Sequence, residues 1–137
     1  MKRSVLLVED DIELAHLLNA KVTERFHDAQ VDMAHDPFEA MNMMAEKPYD
    51  LVLMDWNLPG FNGNQAIAQA TRDFDFDPNL PIEWREKSTP VVVMSADTEE
   101  HCPMRSSRYF KYAGHVNKTE GLSGIMNRLN AHLVMVQ

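Results

Sequence analysis

Cysteine is nearly absent from this chain. The one example, Cys102, cannot close an internal bridge, which excludes a disulfide-stapled fold and points to a reducing, cytoplasmic setting. Long apolar runs are missing as well. Lys2 and Arg3 precede an apolar stretch as in a signal peptide, but Glu9-Asp10-Asp11 ends it after Val8, too soon for a secretory or membrane segment. Basic charge is scarce: thirteen Lys and Arg against twenty-one Asp and Glu leave a net charge of −8, which argues against this chain gripping nucleic acid. The six histidines are spaced neither as a metal site nor as a phosphohistidine box, and no repeat or low-complexity tract occurs. Asn117-Lys118-Thr119 is formally a glycosylation site, which a cytoplasmic protein does not use. What is present is 137 residues, 45% of them hydrophobic and 25% charged, enough for one domain with its own core.

The organising stretch is Leu51-Val52-Leu53-Met54-Asp55-Trp56-Asn57-Leu58-Pro59-Gly60. An unbroken apolar run ending in an acid and a Pro-Gly breaker suits a strand buried on both faces of a parallel sheet. Such a strand delivers its last residue to the carboxyl edge, where open α/β folds bind ligands. Ser4–Val8 and Pro90–Met94 read the same way, the second ending at Ser95. Gln30–Ala34 alternates like an edge strand, and Gly114–Asn117 is a short fifth strand.

Helices fit between them. Ile12 to about Phe26 carries Ile12, Ala15, Leu18, Val22 and Phe26 at helical spacing, with Asp11 as its cap. Asp36-Pro37-Phe38-Glu39 supplies a cap, a first-turn proline and an acid for a helix running to about Glu46, with Met41, Met44 and Ala45 inward. A third helix fits Gln65 to about Arg72. A fourth helical region is expected between Thr98 and Tyr112, with Pro103 at its first position, and a closing helix runs from Leu122 to about Val136. Five alternations of strand and helix imply an α/β, doubly wound, five-stranded parallel sheet with helices on both faces. Thirty-nine residues separate Asp55 from Ser95, where a helix, two loops and a strand need only about 25. The excess, an insertion at about 73–88, is expected to be an irregular surface excursion whose Phe76, Ile82 and Trp84 pack back on the body. The competing reading is an acidic, aromatic partner-binding patch.

Parallel strands end on one edge, so Glu9, Asp10, Asp55, Ser95 and Lys118 should converge. Singly each is a weak signal: an acid after a strand is commonly a helix cap, a lysine there is commonly solvated, and a serine there serves turns. Together they occupy four strand ends. Three neighbouring carboxylates resist ionisation unless a cation neutralises them. An all-oxygen ligand set without His or Cys favours magnesium over zinc. Lys118 would offset a developing phosphoryl charge, Ser95 would donate to one of its oxygens, and Asp55 would be the carboxylate nucleophile.

On these residues the chain resembles a response-regulator receiver domain of two-component signalling. The motifs are Val5-Leu6-Leu7-Val8-Glu9-Asp10-Asp11, Met54-Asp55-Trp56-Asn57-Leu58-Pro59-Gly60 with Gly63, Val93-Met94-Ser95-Ala96, and Lys118; they span nearly the whole chain, 1–137. The resemblance implies a flavodoxin-like sheet of order 2-1-3-4-5, Asp55 as phosphoacceptor and Mg2+ on Glu9, Asp10, Asp55 and the Asn57 backbone carbonyl. It implies Ser95 as the switch hydroxyl and Lys118 as the residue that bonds the phosphoryl group. His115 stands at the position of a switch tyrosine or phenylalanine that rotates inward; it would either do the same or serve only as a surface residue. The protein would take a phosphoryl group from a sensor histidine kinase or a histidine phosphotransferase and lose it slowly by self-catalysis, without turning over an external substrate. Its output would go to a downstream protein or a fused domain, with no direct nucleic-acid or membrane contact; a homodimer formed on phosphorylation is left open.

Three features depart from the family: Thr119 in place of a cis proline after Lys118, His115 in place of the aromatic residue, and the insertion. A haloacid-dehalogenase type of hydrolase would need an aspartate where Asn57 stands, and a flavodoxin would find its phosphate repelled by Glu9-Asp10-Asp11. The serious rival is a degenerate receiver that works as a phosphorylation-independent interaction module. No linker, basic helix-turn-helix or kinase motif follows the last helix, which fits a single-domain regulator or a receiver cut from a longer chain; Met1 fits a natural N-terminus. A charge-assisted hydrogen bond formed only in the active state, worth roughly 1.5–3 kcal/mol, is enough to bias a two-state switch about 10- to 150-fold.

Overall fold

Hydrophobic alternation within unbroken apolar runs builds the central layer of the molecule. The computed structural model describes residues 3–86 and 88–135; Met1, Lys2, Lys87, Val136 and Gln137, and with them the expected helix end at Val136, lie outside the described residues. Strands β1 (Arg3–Val8), β2 (Ala29–Ala34), β3 (Leu51–Asp55), β6 (Thr89–Ser95) and β7 (Phe110–Asn117) form a parallel sheet of order β2-β1-β3-β6-β7. Strands β4 (Asn57–Leu58) and β5 (Phe61–Asn62) make a separate hairpin, so the sheet order counted over its own strands is 2-1-3-4-5. Val5, Leu7, Leu51, Leu53, Val92 and Met94 face one core; Leu6, Val8, Val52, Met54, Val91 and Val93 face the other. Burial on both faces is why these strands read as continuous apolar runs.

The first core is closed by α1 (Ile12–Arg25) and α5 (Gly121–Met135) through Ala15, Leu18, Val22, Ile125, Leu129 and Leu133. Asp11 caps α1 by accepting from the Leu14 amide at 3.1 Å. Ile12, expected inward, is 57% exposed; the buried stripe of α1 starts one turn later, at Ala15. The second core is closed by α2 (Pro37–Glu46), α3 (Gly63–Asp75) and α4 (Ile82–Glu86). Asp36 caps α2 from the Glu39 amide at 2.8 Å, while the Glu39 carboxylate accepts from the His35 amide. Met44 is fully inward; Met41 and Ala45 are partly buried against the same core. An Asn62–Gln65 capping box starts α3 two residues earlier than expected, and the buried Ala66, Ile67, Ala70 and Phe74 carry it three residues past Arg72.

Two further expectations are corrected. The fourth helix between Thr98 and Tyr112 does not form: a 3-10 turn covers Glu99–His101, and the chain is then irregular until β7 begins at Phe110. Pro103 offers no amide and pushes Cys102 out of helical geometry, and Cys102 indeed sits at φ −126, ψ 62. Ser106 and Ser107 then spend their hydroxyls on the Tyr112, Tyr109 and Phe110 amides, competing with helix formation. Freed from a helix, Phe110–Tyr112 lengthens β7 and pairs with Thr89–Val91, with a bulge at Ala113 that re-registers the rest.

The second correction concerns 73–88. Among the described residues the segment holds the end of α3 and all of α4, with irregular chain between them at 76–81, and Phe76 and Ile82 do not pack back, being 83% and 62% exposed. Each sits at a helix end pointing away from the sheet, whereas Trp84 is buried. Its indole N–H donates to the Met44 carbonyl at 2.8 Å, and its ring packs on Phe74 and Phe110 at 5.1 and 5.3 Å. Trp84, with Cys102 and Met104, covers the part of the second core that a helix after β6 would have covered.

Candidate phosphoacceptor site at the sheet edge

The topology brings the strand ends together. Asp55 ends β3, Ser95 ends β6, Glu9 and Asp10 follow β1, and Lys118 follows β7. Glu9, Asp10 and Asp55 each present a carboxylate oxygen within 4.8 Å of the others; Glu9 and Asp55 are buried and Asp10 is exposed. The Lys118 ammonium stands 2.5 Å from Glu9 Oε1 and 3.1 Å from Asp55 Oδ2. The Asn57 amide donates to Asp55 Oδ1 at 3.2 Å, anchoring that carboxylate from the hairpin side. The lysine loop is held without a proline: Asn117 Oδ1 accepts from the Thr119 amide and hydroxyl, and no peptide bond among the described residues is cis.

One ammonium faces three carboxylates, and the electrostatics show the deficit. Burial first, then the neighbouring Asp55 carboxylate, push Glu9 up to about 8 against the pull of Lys118. Burial of Lys118 opposes its charge, but Glu9 and Asp55 outweigh that and raise its pKa. Glu9 Oε1 is buried against the Lys118 ammonium. A largely buried, all-oxygen cluster of three carboxylates facing one ammonium fits a hard divalent cation.

Ser95 turns elsewhere. Its hydroxyl lies 2.9 Å from the Asp97 carbonyl, 3.1 Å from the Asp97 amide and 2.9 Å from His115 Nε2, and it accepts from the Cys102 thiol at 3.1 Å. Sequence reasoning did not find Asp97 or Cys102 as neighbours of Ser95. Their approach depends on the irregular chain after β6, and no spacing rule marks it. His35, whose Nδ1 lies 3.1 Å from the Glu9 carbonyl, was also missed; it closes the loop after β1 from β2's side.

The profile of the response regulator receiver domain matches residues 5–130. The chain belongs to the response-regulator receiver family. It is 35% identical over 96 residues to the autoinducer 2 sensor kinase/phosphatase LuxQ of Vibrio parahaemolyticus, covering 70% of this chain and 10% of that protein. It is 32% identical over 105 residues to the phosphate regulon transcriptional regulatory protein PhoB of Escherichia coli, covering 77% and 41%. The receiver thus spans a tenth to about two-fifths of the length of these relatives. Among solved structures, chemotaxis response regulator CheY4 of Vibrio cholerae aligns at a TM-score of 0.68 and 16% identity, over 96% of this chain and 98% of that one. Response regulator TrrA of Thermotoga maritima, solved in complex with Mg(2+)-BeF, aligns at 0.69 and 18%, over 98% and 99%. Receivers are signalling domains of two-component systems, not enzymes that turn over an external substrate. No helix among the described residues is long and apolar enough to cross a membrane.

Proposed function

We propose that this receiver accepts a phosphoryl group on Asp55 from a phosphohistidine of a sensor histidine kinase or a histidine phosphotransferase. The observation that carries the reading is the Lys118 ammonium, set between Glu9 and Asp55 within a cluster of three carboxylates. Glu9, Asp10, Asp55 and the Asn57 backbone carbonyl would hold Mg2+. When bound, that ion supplies the charge that keeps the carboxylates ionised and offsets the incoming phosphoryl oxygens. An Asp55 oxygen attacks phosphorus, the histidine nitrogen leaves, and an acyl phosphate results. Lys118 then trades a carboxylate oxygen of Asp55 for a phosphoryl oxygen, and Ser95 donates to another. The acyl phosphate is lost slowly by hydrolysis at the same site. Residues 1–137 form the receiver, with 73–88 as an insertion, and the domain works in the cytoplasm on a protein target or fused output domain.

The test is phosphate uptake from a small phosphodonor such as acetyl phosphate with Mg2+. Wild type takes up acid-labile phosphate; Asp55→Asn takes up none while its circular dichroism is unchanged. Equal labelling of the folded variant contradicts the assignment. A wild type that takes up nothing makes the domain a phosphorylation-independent interaction module.

A further inference from the structure

The Ser95 hydroxyl has more partners than it can serve freely. A hydroxyl carries one proton and two acceptor lone pairs. Here it meets an acceptor in the Asp97 carbonyl, donors in the Asp97 amide and the Cys102 thiol, and a histidine nitrogen of either role. All four lie on residues 97–102 or on β7; none is Asp55 or Lys118. The segment that brings them is itself tied down. The Cys102 amide closes the 3-10 turn on the Glu99 carbonyl, and the Glu99 carboxylate accepts from the Tyr112 hydroxyl of β7 at 2.5 Å. Farther on, the Arg105 amide donates to Asn64 Oδ1 and Thr71 bonds Ser107, both anchors on α3. Cys102 is buried, so its thiol has no solvent to turn to if Ser95 leaves.

We propose that Cys102 is a positioning residue of the switch. Together with His115 it clasps the Ser95 hydroxyl onto the 97–102 segment, and the clasp opens before that hydroxyl donates to a phosphoryl oxygen on Asp55. The inference rests on the phosphoacceptor reading above. In the clasped state His115 either draws the Ser95 proton to its Nε2 lone pair or donates to the oxygen, and the thiol occupies a lone pair. Turning Ser95 toward Asp55 breaks both contacts and strands a buried S–H. The clasp therefore sets how readily the site responds, and its opening unhooks the 97–102 segment from the Ser95 hydroxyl.

Beryllofluoride with Mg2+, a phosphoryl stand-in that needs no covalent transfer, tests this in two ways. Because the chain holds one cysteine, its S–H stretching band in the infrared is free of overlap. Loading the wild type with beryllofluoride should move that band to higher frequency as the thiol loses its acceptor. In titrations, Cys102→Ala should bind beryllofluoride about threefold tighter than wild type, as befits one weak hydrogen bond lost from the competing state. His115→Phe, which keeps a ring of similar size, should also bind tighter, and neither variant should change its affinity for Mg2+ alone. If Cys102→Ala does not fold, His115→Phe and the wild-type band still decide. A band that stays in place on loading, or unchanged beryllofluoride affinity in the folded variants, overturns the clasp and leaves the phosphoacceptor reading standing. A wild type that binds Mg2+ but no beryllofluoride overturns both.

Discussion

Among the described residues Lys118 is the cation paired with this cluster, against two buried carboxylates and a third at the surface. The exposed Asp10 is the member the lysine does not reach, so its charge is the one most open to a metal. Asp10→Ala should weaken Mg2+ binding about tenfold or more, since even outer-shell partners commonly contribute that much. Quenching of Trp56, beside Asp55, reads the titration in a Trp84→Phe background, and an unchanged curve contradicts the cluster as a metal site. A second residue-scale effect lies on α5. The His132 ring packs over Gly114, where a Cβ would stand 2.8 Å from Cε1, and burial lowers its pKa below the ordinary 6.5. The unfolded chain then binds the proton first as pH falls, so this stability is present above about 6.5 and is lost as pH drops through the folded value. Between about pH 7.5 and 5.5, wild type should lose more unfolding free energy than His132→Gln. Equal losses would show that the buried ring does not control the slope.

At the scale of elements, the β6–β7 crossover departs most from expectation, and Trp84 compensates for it. Trp84→Ala should cost about 3–5 kcal/mol in urea unfolding, because a buried ring leaves the Phe74–Phe110 cluster and the Met44 carbonyl loses its donor. Phe76→Ser, at an exposed ring 83% open to solvent, should change stability by less than about 0.5 kcal/mol. Comparable losses in the two would contradict this division. The difference explains what the sequence could tell. β1, β3 and β6 were legible because two-sided burial writes itself as an unbroken apolar run, and α1 and α2 because Asp11 and Asp36 announce them. Residues 98–109 were not, since apolar Cys102, Met104 and Tyr109 suit a helix face or a packed irregular strap alike. Which of the two forms is decided by long-range contacts: Trp84 already occupies the space, and Thr89–Val91 offer Phe110–Tyr112 a strand partner.

For the whole molecule, the site follows from topology. Parallel strands set four strand ends at one edge, and the order β2-β1-β3-β6-β7 puts β3 in the middle, beside the acids after β1, while the lysine after β7 reaches back to both Asp55 and Glu9. The meeting of Glu9, Asp10, Asp55 and Lys118 could be read from the sequence alone. The environment of Ser95 could not, because it is built by the irregular crossover. The net charge of −8 leaves the site dependent on cations to admit an anionic donor. The central claim is that Asp55 becomes an acyl phosphate, and borohydride trapping tests it most directly. After incubation with acetyl phosphate and Mg2+, reduction should convert residue 55, and no other carboxylate, to homoserine in the peptide map. Homoserine at a different position, or an unmodified map from protein shown to bind Mg2+, would contradict the account.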